Sequence, residues 1–527
     1  MRKLLQGTLI ALMTGTAAIA YAATPADTLV VASAFDDTIS LDPAEVFEIG
    51  PSEFIGNSYE RIIGYDPFDP TKIFGVVAES WTISEDGKTF TFKVREGKKF
   101  ASGNPMTAED AVFSLQRVIL LDQAPAFIIG QFGLTKDNVR DKIKQTGPFE
   151  FTLETDKAYA PSFVLYCLSS TPAAVVDKKL LIANEKDGDM GYAWLKTRFA
   201  GSGPYLIRDW RPNELVVLER NPHYPEKAEM NRVIYRMIKE TAVQRALLEK
   251  GDIDIARNLG AEDIDLVEKN ENVAISKGRK GTLWYLGLNM KNPAFAKPEV
   301  REAMKYLVDY QAISDTILKH QTEVQQYFLP QGFLGAIKDT PYKFDLAKAK
   351  ELLAKAGYPD GFTASIDARS IPRSMGTAQA IQQTMAQAGI KLEIIPGDSK
   401  QILTKYRARK HDVYLGDWGV DYPDPNTNAD VFAANDDNSD DAKSKPLTWR
   451  NSWDPGPITQ ETRAAVEEKD TEKRAALYEK IQKEVAASGP FILMFQQTEV
   501  WAKRKNVTGE VIGPAAEMNL VYKIKKN

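Results

Sequence analysis

The chain has 527 residues, 43% hydrophobic and 26% charged, which excludes a disordered chain, a collagen-like repeat and a multi-span membrane protein. At ~150 residues per domain the length holds three or four folding units or two large lobes. Lys plus Arg number 67 against 72 Asp plus Glu, so the formal net charge of −5 offers no basic field for nucleic acid or an anionic membrane surface.

In chain order, Met1-Arg-Lys precedes the apolar run Leu4 to Ala20, and Ala20-Tyr-Ala22 places small residues two apart. This is the pattern of a secretory signal peptide, expected to end at Ala22. The run is short and broken by Gln6, Gly7, Thr8, Thr14 and Gly15, which argues against a spanning helix, and no cysteine marks a lipid anchor. Loss of Arg2 and Lys3 takes the charge from −5 to −7. The product is expected to be exported and free of a membrane anchor, most simply in a bacterial periplasm.

Thr28 to Ser33 is nearly continuous in apolar residues and predicts a buried strand. Thr89 to Arg95 alternates, the mark of a half-exposed strand, after a hairpin turn at Glu85-Asp-Gly-Lys88. Thr107 caps a helix, with Asp110 in the capping-box slot and Val112, Leu115 and Val118 at helical spacing. Cys167, the only cysteine, lies in Phe163-Val-Leu-Tyr-Cys-Leu168 and reads as a buried structural thiol. Arg232 to Ile238 is a strand, Thr241 to Lys250 a helix closed by Gly251, and Ile253 to Ile255 a strand. Asp345 to Ala356 is a helix stopped by Gly357, Gly376 to Ala388 another, and Lys391 to Ile395 a strand. Asn435 to Lys445 is the most polar stretch and reads as a surface loop. The alternation gives a mixed α/β architecture without short-period repeats.

Catalytic patterns do not emerge. GxSxG, HExxH, a Walker-type loop and a GxGxxG after a strand are all missing from the sequence. Gly201-Ser-Gly-Pro204 suggests a phosphate cradle, but Pro204 removes a needed backbone donor, so a plain turn is expected. Lys410-His411-Asp412 lacks a companion nucleophile and reads as a lone surface histidine. His223, His320 and His411 lie far apart in sequence, leaving zinc-type clusters without ligands, and no cofactor or metal is expected. A binder is expected rather than an enzyme; a secreted hydrolase would need a nucleophile–base pair that cannot be assembled here.

Several segments carry a family resemblance. Ala78-Glu-Ser-Trp81 through Gly87 to Phe100, followed by Thr107-Ala-Glu-Asp-Ala-Val-Phe-Ser114, closely resembles the signature of extracellular solute-binding proteins of ABC importers, family 5 (the peptide/nickel class, cluster C). Ser40-Leu-Asp-Pro43, Gly203-Pro-Tyr205, Glu219 to Tyr224, Tyr285-Leu-Gly-Leu-Asn289, Val300 to Asp309 and Ala349 to Tyr358 fit the same group in the same order. The resemblance spans about residues 28–510. It implies a two-lobed type II periplasmic-binding-protein fold. One lobe is expected at 23–284 plus 492–527, with an extra subdomain near 50–200, and the other at 285–491. It further implies a monomer that captures di- or oligopeptides by hinge closure and hands them to an inner-membrane permease; an opine, an oligosaccharide or another small nutrient is the alternative ligand.

Trp418-Gly-Val-Asp421-Tyr422-Pro-Asp424-Pro425 resembles the family's W-x-x-D-x-x-(D/E)-P segment. In peptide binders of that family its first acid pairs with the ligand α-ammonium, so the resemblance implies that role for Asp421, with Trp418 and Tyr422 beside it. Asp424 is expected to serve the turn. Arg369 and Arg373 flank Ser-Ile-Pro just before a predicted helix, near where dipeptide-binding relatives hold the ligand carboxylate. Glu48 lies one position from an acidic contact of oligopeptide relatives. Trp449 and Trp453, around Arg450, could stack on a ligand or pack in the core.

Overall fold

Residues 24–527 are described in the computed structural model, so the expected leader at 1–22 lies outside the described residues. The strand Thr28–Ser33 is buried at every position, as its unbroken apolar run requires, and pairs in parallel with Arg232–Met237 and Ile255–Ala256. It belongs to an eleven-stranded sheet. Along that sheet the strands run Lys391–Gly397, Thr363–Arg369, Val413–Trp418, Val273–Leu288, Phe491–Arg504, Ile255–Ala256, Thr28–Ser33, Arg232–Met237, Leu215–Arg220 and Tyr205–Arg211. Thr322–Val324 pairs separately with Phe491–Arg504.

The sheet is continuous, but its core is not. One pair of apolar clusters covers the faces around Leu29, Val31, Tyr235 and Trp501 and around Ala32, Leu248 and Val500. Another pair covers the faces around Leu286, Ile366 and Leu415 and around Tyr285, Tyr414 and Phe491. Only the two long antiparallel strands, Val273–Leu288 and Phe491–Arg504, run through both halves. Their pairing breaks where one half gives way to the other: between Arg279 and Leu283 the register shifts, leaving Lys280, Gly281 and Thr282 opposite Gln497. Such a bulge bends the strand and raises its twist.

A fifth cluster fills a separate body built on a four-stranded sheet of Ala78–Ile83, Thr89–Val94, Glu150–Glu154 and Ile143–Gly147. The helix Ala108–Leu121 lies in it and begins with the expected capping box, in which the Asp110 carboxylate accepts from the Thr107 amide at 2.9 Å. Arg117 on that helix donates to both oxygens of Asp42, at 2.8 and 2.5 Å, locking this body to the Ser40-Leu-Asp-Pro43 segment. Cys167 is buried here, and desolvation raises its thiol well above the ordinary range, which keeps it inert.

Three expectations are corrected. The helix expected from Gly376 begins at Pro372, since proline at the first helical position starts a helix well, and Arg373 therefore sits in its first turn. The strand expected at Ile253–Ile255 is reduced to Ile255–Ala256. His411 is not a surface residue: it is 3% exposed, its ring meets Tyr406 edge-on at 4.8 Å, and Nε2 lies 3.0 Å from Asn451 Oδ1. Burial lowers it to about 4, so the ring is a neutral core group at physiological pH. Among the described residues no helix is long and apolar enough to cross a membrane.

Candidate ligand-binding site

The strands Thr363–Arg369 and Val413–Trp418 are parallel and end side by side, and the helix Pro372–Ala386 starts immediately beyond the first. In open α/β sheets that edge, outside the carboxyl ends of parallel strands, is where ligands gather. Trp418, Asp421, Tyr422, Arg369 and Arg373 all come from this edge, which brings together five of the eight residues singled out in the sequence.

Asp421 follows the Val413–Trp418 strand in a turn that the next residues hold in place. Its amide donates to Thr427 Oγ1 at 3.0 Å. Asp424 accepts the Asn426 amide at 2.9 Å and takes a two-pronged ion pair from Arg474 at 2.7 and 2.8 Å, both side chains being buried. The turn role expected of Asp424 is therefore present, with a buried ion pair added. The Asp421 carboxylate, by contrast, has no hydrogen-bond or ion-pair partner among the described residues. Burial, reinforced by the Glu517 and Asp430 carboxylates, pushes it up to about 7. Such a half-buried carboxylate, with acids and no cation around it among the described residues, carries a charge that the protein itself leaves unmatched.

The opposite wall comes from the body built on the four-stranded sheet. Tyr422 meets Phe163 edge-on at 6.0 Å, and its hydroxyl donates to Gln131 Oε1 at 3.3 Å. Arg474 donates to Ser162 Oγ at 3.1 Å, the Ala160 amide to the Val466 carbonyl at 3.0 Å, and Lys157 pairs with Glu467. These contacts shut the 157–163 segment against the 422–474 segment. The C-terminal turn Ala516–Met518 closes the third side. Lys280 in the strand bulge fastens it through Nζ to the Gly513 and Ala515 carbonyls, at 2.6 and 3.1 Å, and to Asn519 Oδ1 at 3.1 Å. Gly56 lets the Glu517 backbone approach; a Cβ there would stand 2.1 Å from the Glu517 carbonyl oxygen.

The two arginines differ. Arg369 is already paired with Asp417. Arg373 lies 5.4 Å over the Trp284 ring and makes no ion pair among the described residues, leaving its guanidinium available to an anion. Trp418 Nε1 is likewise buried without a partner. Glu48 stands at the start of the helix Ile49–Ser58, its carboxylate accepting only the Phe47 amide, at 3.3 Å. Trp449 and Trp453 are turned into their own half. Trp449 donates to the Ser439 carbonyl at 2.7 Å with Arg409 4.3 Å over its ring, and Trp453 packs edge-on against Phe491 at 6.2 Å. Packing accounts for both, because neither ring keeps a free face. Away from the cleft, His320 and Glu268 gather at Asp265, but Lys319 donates to both Asp265 oxygens at 2.8 Å and meets its charge.

Sequence reasoning missed Glu517, whose carboxylate raises that of Asp421; lying nearly a hundred residues further along the chain, it left no signal in the sequence.

A model of the bacterial extracellular solute-binding proteins, family 5 (middle), matches residues 72–440. The chain is 28% identical over 518 residues to the "Probable D,D-dipeptide-binding periplasmic protein DdpA" of Escherichia coli (strain K12), covering 97% of this chain and 96% of that one. It is 25% identical over 515 residues to the glutathione-binding protein GsiB of Salmonella typhi, covering 94% of each. Among solved structures, the periplasmic binding protein DppA from Helicobacter pylori, in complex with the peptide STSA, superposes with a TM-score of 0.79. It is 23% identical, over 95% of this chain and 98% of that one.

Proposed function

Since the chain belongs to the bacterial extracellular solute-binding proteins of family 5, we propose that it captures a short peptide in the periplasm and delivers it to an ABC permease. The observation that carries this reading is the half-buried Asp421 carboxylate, which has acids but no cation around it among the described residues. A peptide α-ammonium supplies that cation through a charge-assisted hydrogen bond. Arg373 takes the ligand's carboxylate, and Trp418 and Tyr422 line the space between them. Dipeptide-binding and glutathione-binding names among the relatives support a peptide-like ligand. The two lobes, 23–284 plus 492–527 and 285–491, turn about the Lys280–Thr282 bulge, and the ligand selects the closed form because only there does it touch both walls. The protein acts as a monomer, reaches the periplasm through a cleaved leader, and changes no covalent bond in its cargo.

Isothermal titration calorimetry with a dipeptide pool and with an oligosaccharide pool tests this. Saturable one-to-one heat with peptides only is the expected result. In Asp421→Asn the affinity should fall at least about a hundredfold, the ~3 kcal/mol lost when a buried charge pair is broken. Affinity unchanged in that variant, or heat with sugars alone, overturns the reading.

A further inference from the structure

Arg61 is 9% exposed, and its Nε and Nη1 are buried without any hydrogen-bond partner. Among the described residues, the one hydrogen-bonding contact of its guanidinium is a 3.4 Å approach of Nη2 to the Met518 sulfur, a weak acceptor. Four residues on, Tyr65 is 1% exposed and its hydroxyl is also buried without a partner. Buried polar groups are nearly always satisfied, and a buried guanidinium with idle donors is among the costliest exceptions. Glu517, 6% exposed, offsets the charge electrostatically, but it makes no hydrogen bond or ion pair with Arg61.

Glu517 links these idle groups to Asp421, since its charge acts on Asp421 and on Tyr65 and is itself acted on by Arg61. Met518, which Arg61 touches, shares one apolar cluster with Tyr65 and with Tyr422, the neighbour of Asp421. The Pro514 carbonyl, at the start of the same C-terminal turn, accepts from the Gly281 amide at 2.8 Å. Gly281 in turn packs so closely on Val420 that a Cβ there would come within 2.4 Å of it. The Arg61–Met518 contact and the Asp421 turn are thus both tied to the same C-terminal turn.

We propose that Arg61 and Tyr65 form an anion subsite that takes a carboxylate carried at the amino-bearing end of the ligand. The donor count favours a carboxylate over a peptide carbonyl. Nε–H, the two Nη1 hydrogens and the Tyr65 hydroxyl are too many donors for one carbonyl oxygen, whereas two carboxylate oxygens offer about four acceptor sites. The cargo class is therefore a short peptide whose first residue carries an acidic group besides its ammonium, with Arg373 left for the far carboxylate. This rests on the peptide reading above.

Calorimetry with three probes tests it: Glu-Ala, its isosteric amide Gln-Ala, and γ-linked Glu-Ala. The wild-type protein should bind at least one of the acidic probes tenfold or more tightly than Gln-Ala. Arg61→Gln should bring that ratio within about twofold while leaving Gln-Ala affinity within about threefold. Should Arg61→Gln fail to fold, Tyr65→Phe removes a single donor and no charge, and should cut the ratio severalfold. Equal binding of the acidic probes and Gln-Ala by the wild type overturns this inference alone. A preference that survives in Arg61→Gln, or in Tyr65→Phe where Arg61→Gln does not fold, does the same. If none of the three binds, the peptide reading falls and this inference with it.

Discussion

Asp421 and Asp424 lie three residues apart and have opposite fates. Asp424 is neutralised inside the protein by Arg474, so breaking that pair strands a buried charge. Arg474→Met should cost about 3–5 kcal/mol in urea denaturation, and adding Asp424→Asn should recover part of the loss. Asp421 has no such partner among the described residues, and on the proposed reading its carboxyl at about 7 makes peptide binding pH-dependent with a definite sign. Below that pH the free site holds a proton that an incoming ammonium must displace. The association constant for a zwitterionic peptide should therefore fall roughly twentyfold between pH 7.5 and 5.5. In Asp421→Asn the profile should be flat. The same shift acts on folding. The folded value lies above the unfolded 3.8, so ionisation destabilises the free protein above pH 7, and the cost fades as pH falls toward 4. Without ligand, Asp421→Asn should melt higher than wild type at pH 8 and alike at pH 4 by calorimetric scanning. Equal melting at pH 8 would show that the carboxylate is solvated.

At the level of elements, the bulge at Lys280–Thr282 sits where two regular strands pass between halves and lose their ladder. Glycine at 281 is required by contact rather than by its dihedral, because Val420 occupies the space a Cβ would take. Gly281→Ala should push Val420 and the Asp421 turn outward. Peptide affinity measured by calorimetry should fall about tenfold, with the far-ultraviolet circular dichroism unchanged. The helix Ala108–Leu121 needs no tertiary help to start. Its capping box, the glycine after Lys250 at φ +89° and the glycine at 357, also at +89°, are local devices that the sequence spells out in consecutive residues. Those helix ends are therefore legible in the sequence alone. The start of Pro372–Ala386 is less legible, because its first turn, Pro-Arg-Ser-Met375, carries no apolar stripe to announce it.

At the level of the whole molecule, the 157–163 segment meets the 422–474 segment through Tyr422 on Phe163, Ala160 to Val466 and Lys157 to Glu467, the contacts that the proposed closure would make. A peptide should lower the radius of gyration in small-angle X-ray scattering, and Asp421→Asn should abolish the change at the same peptide concentration. No change in the wild type would remove hinge closure from the mechanism. The family, the mixed α/β architecture and the Asp421 turn were all determined by the sequence, because each is written in runs of neighbouring residues: capping signals, apolar periodicity and a dense Trp-to-Pro motif. The tertiary structure alone decided which charges remain unpaired. Asp424 is paired by Arg474, fifty residues away, and Arg369 by Asp417, while Arg61 meets Met518, next to Glu517, from nearly the opposite end of the chain and finds no ion-pair partner among the described residues. Whether a buried charge is matched depends on what the fold brings within about 4 Å of it, and separation along the chain does not encode that distance.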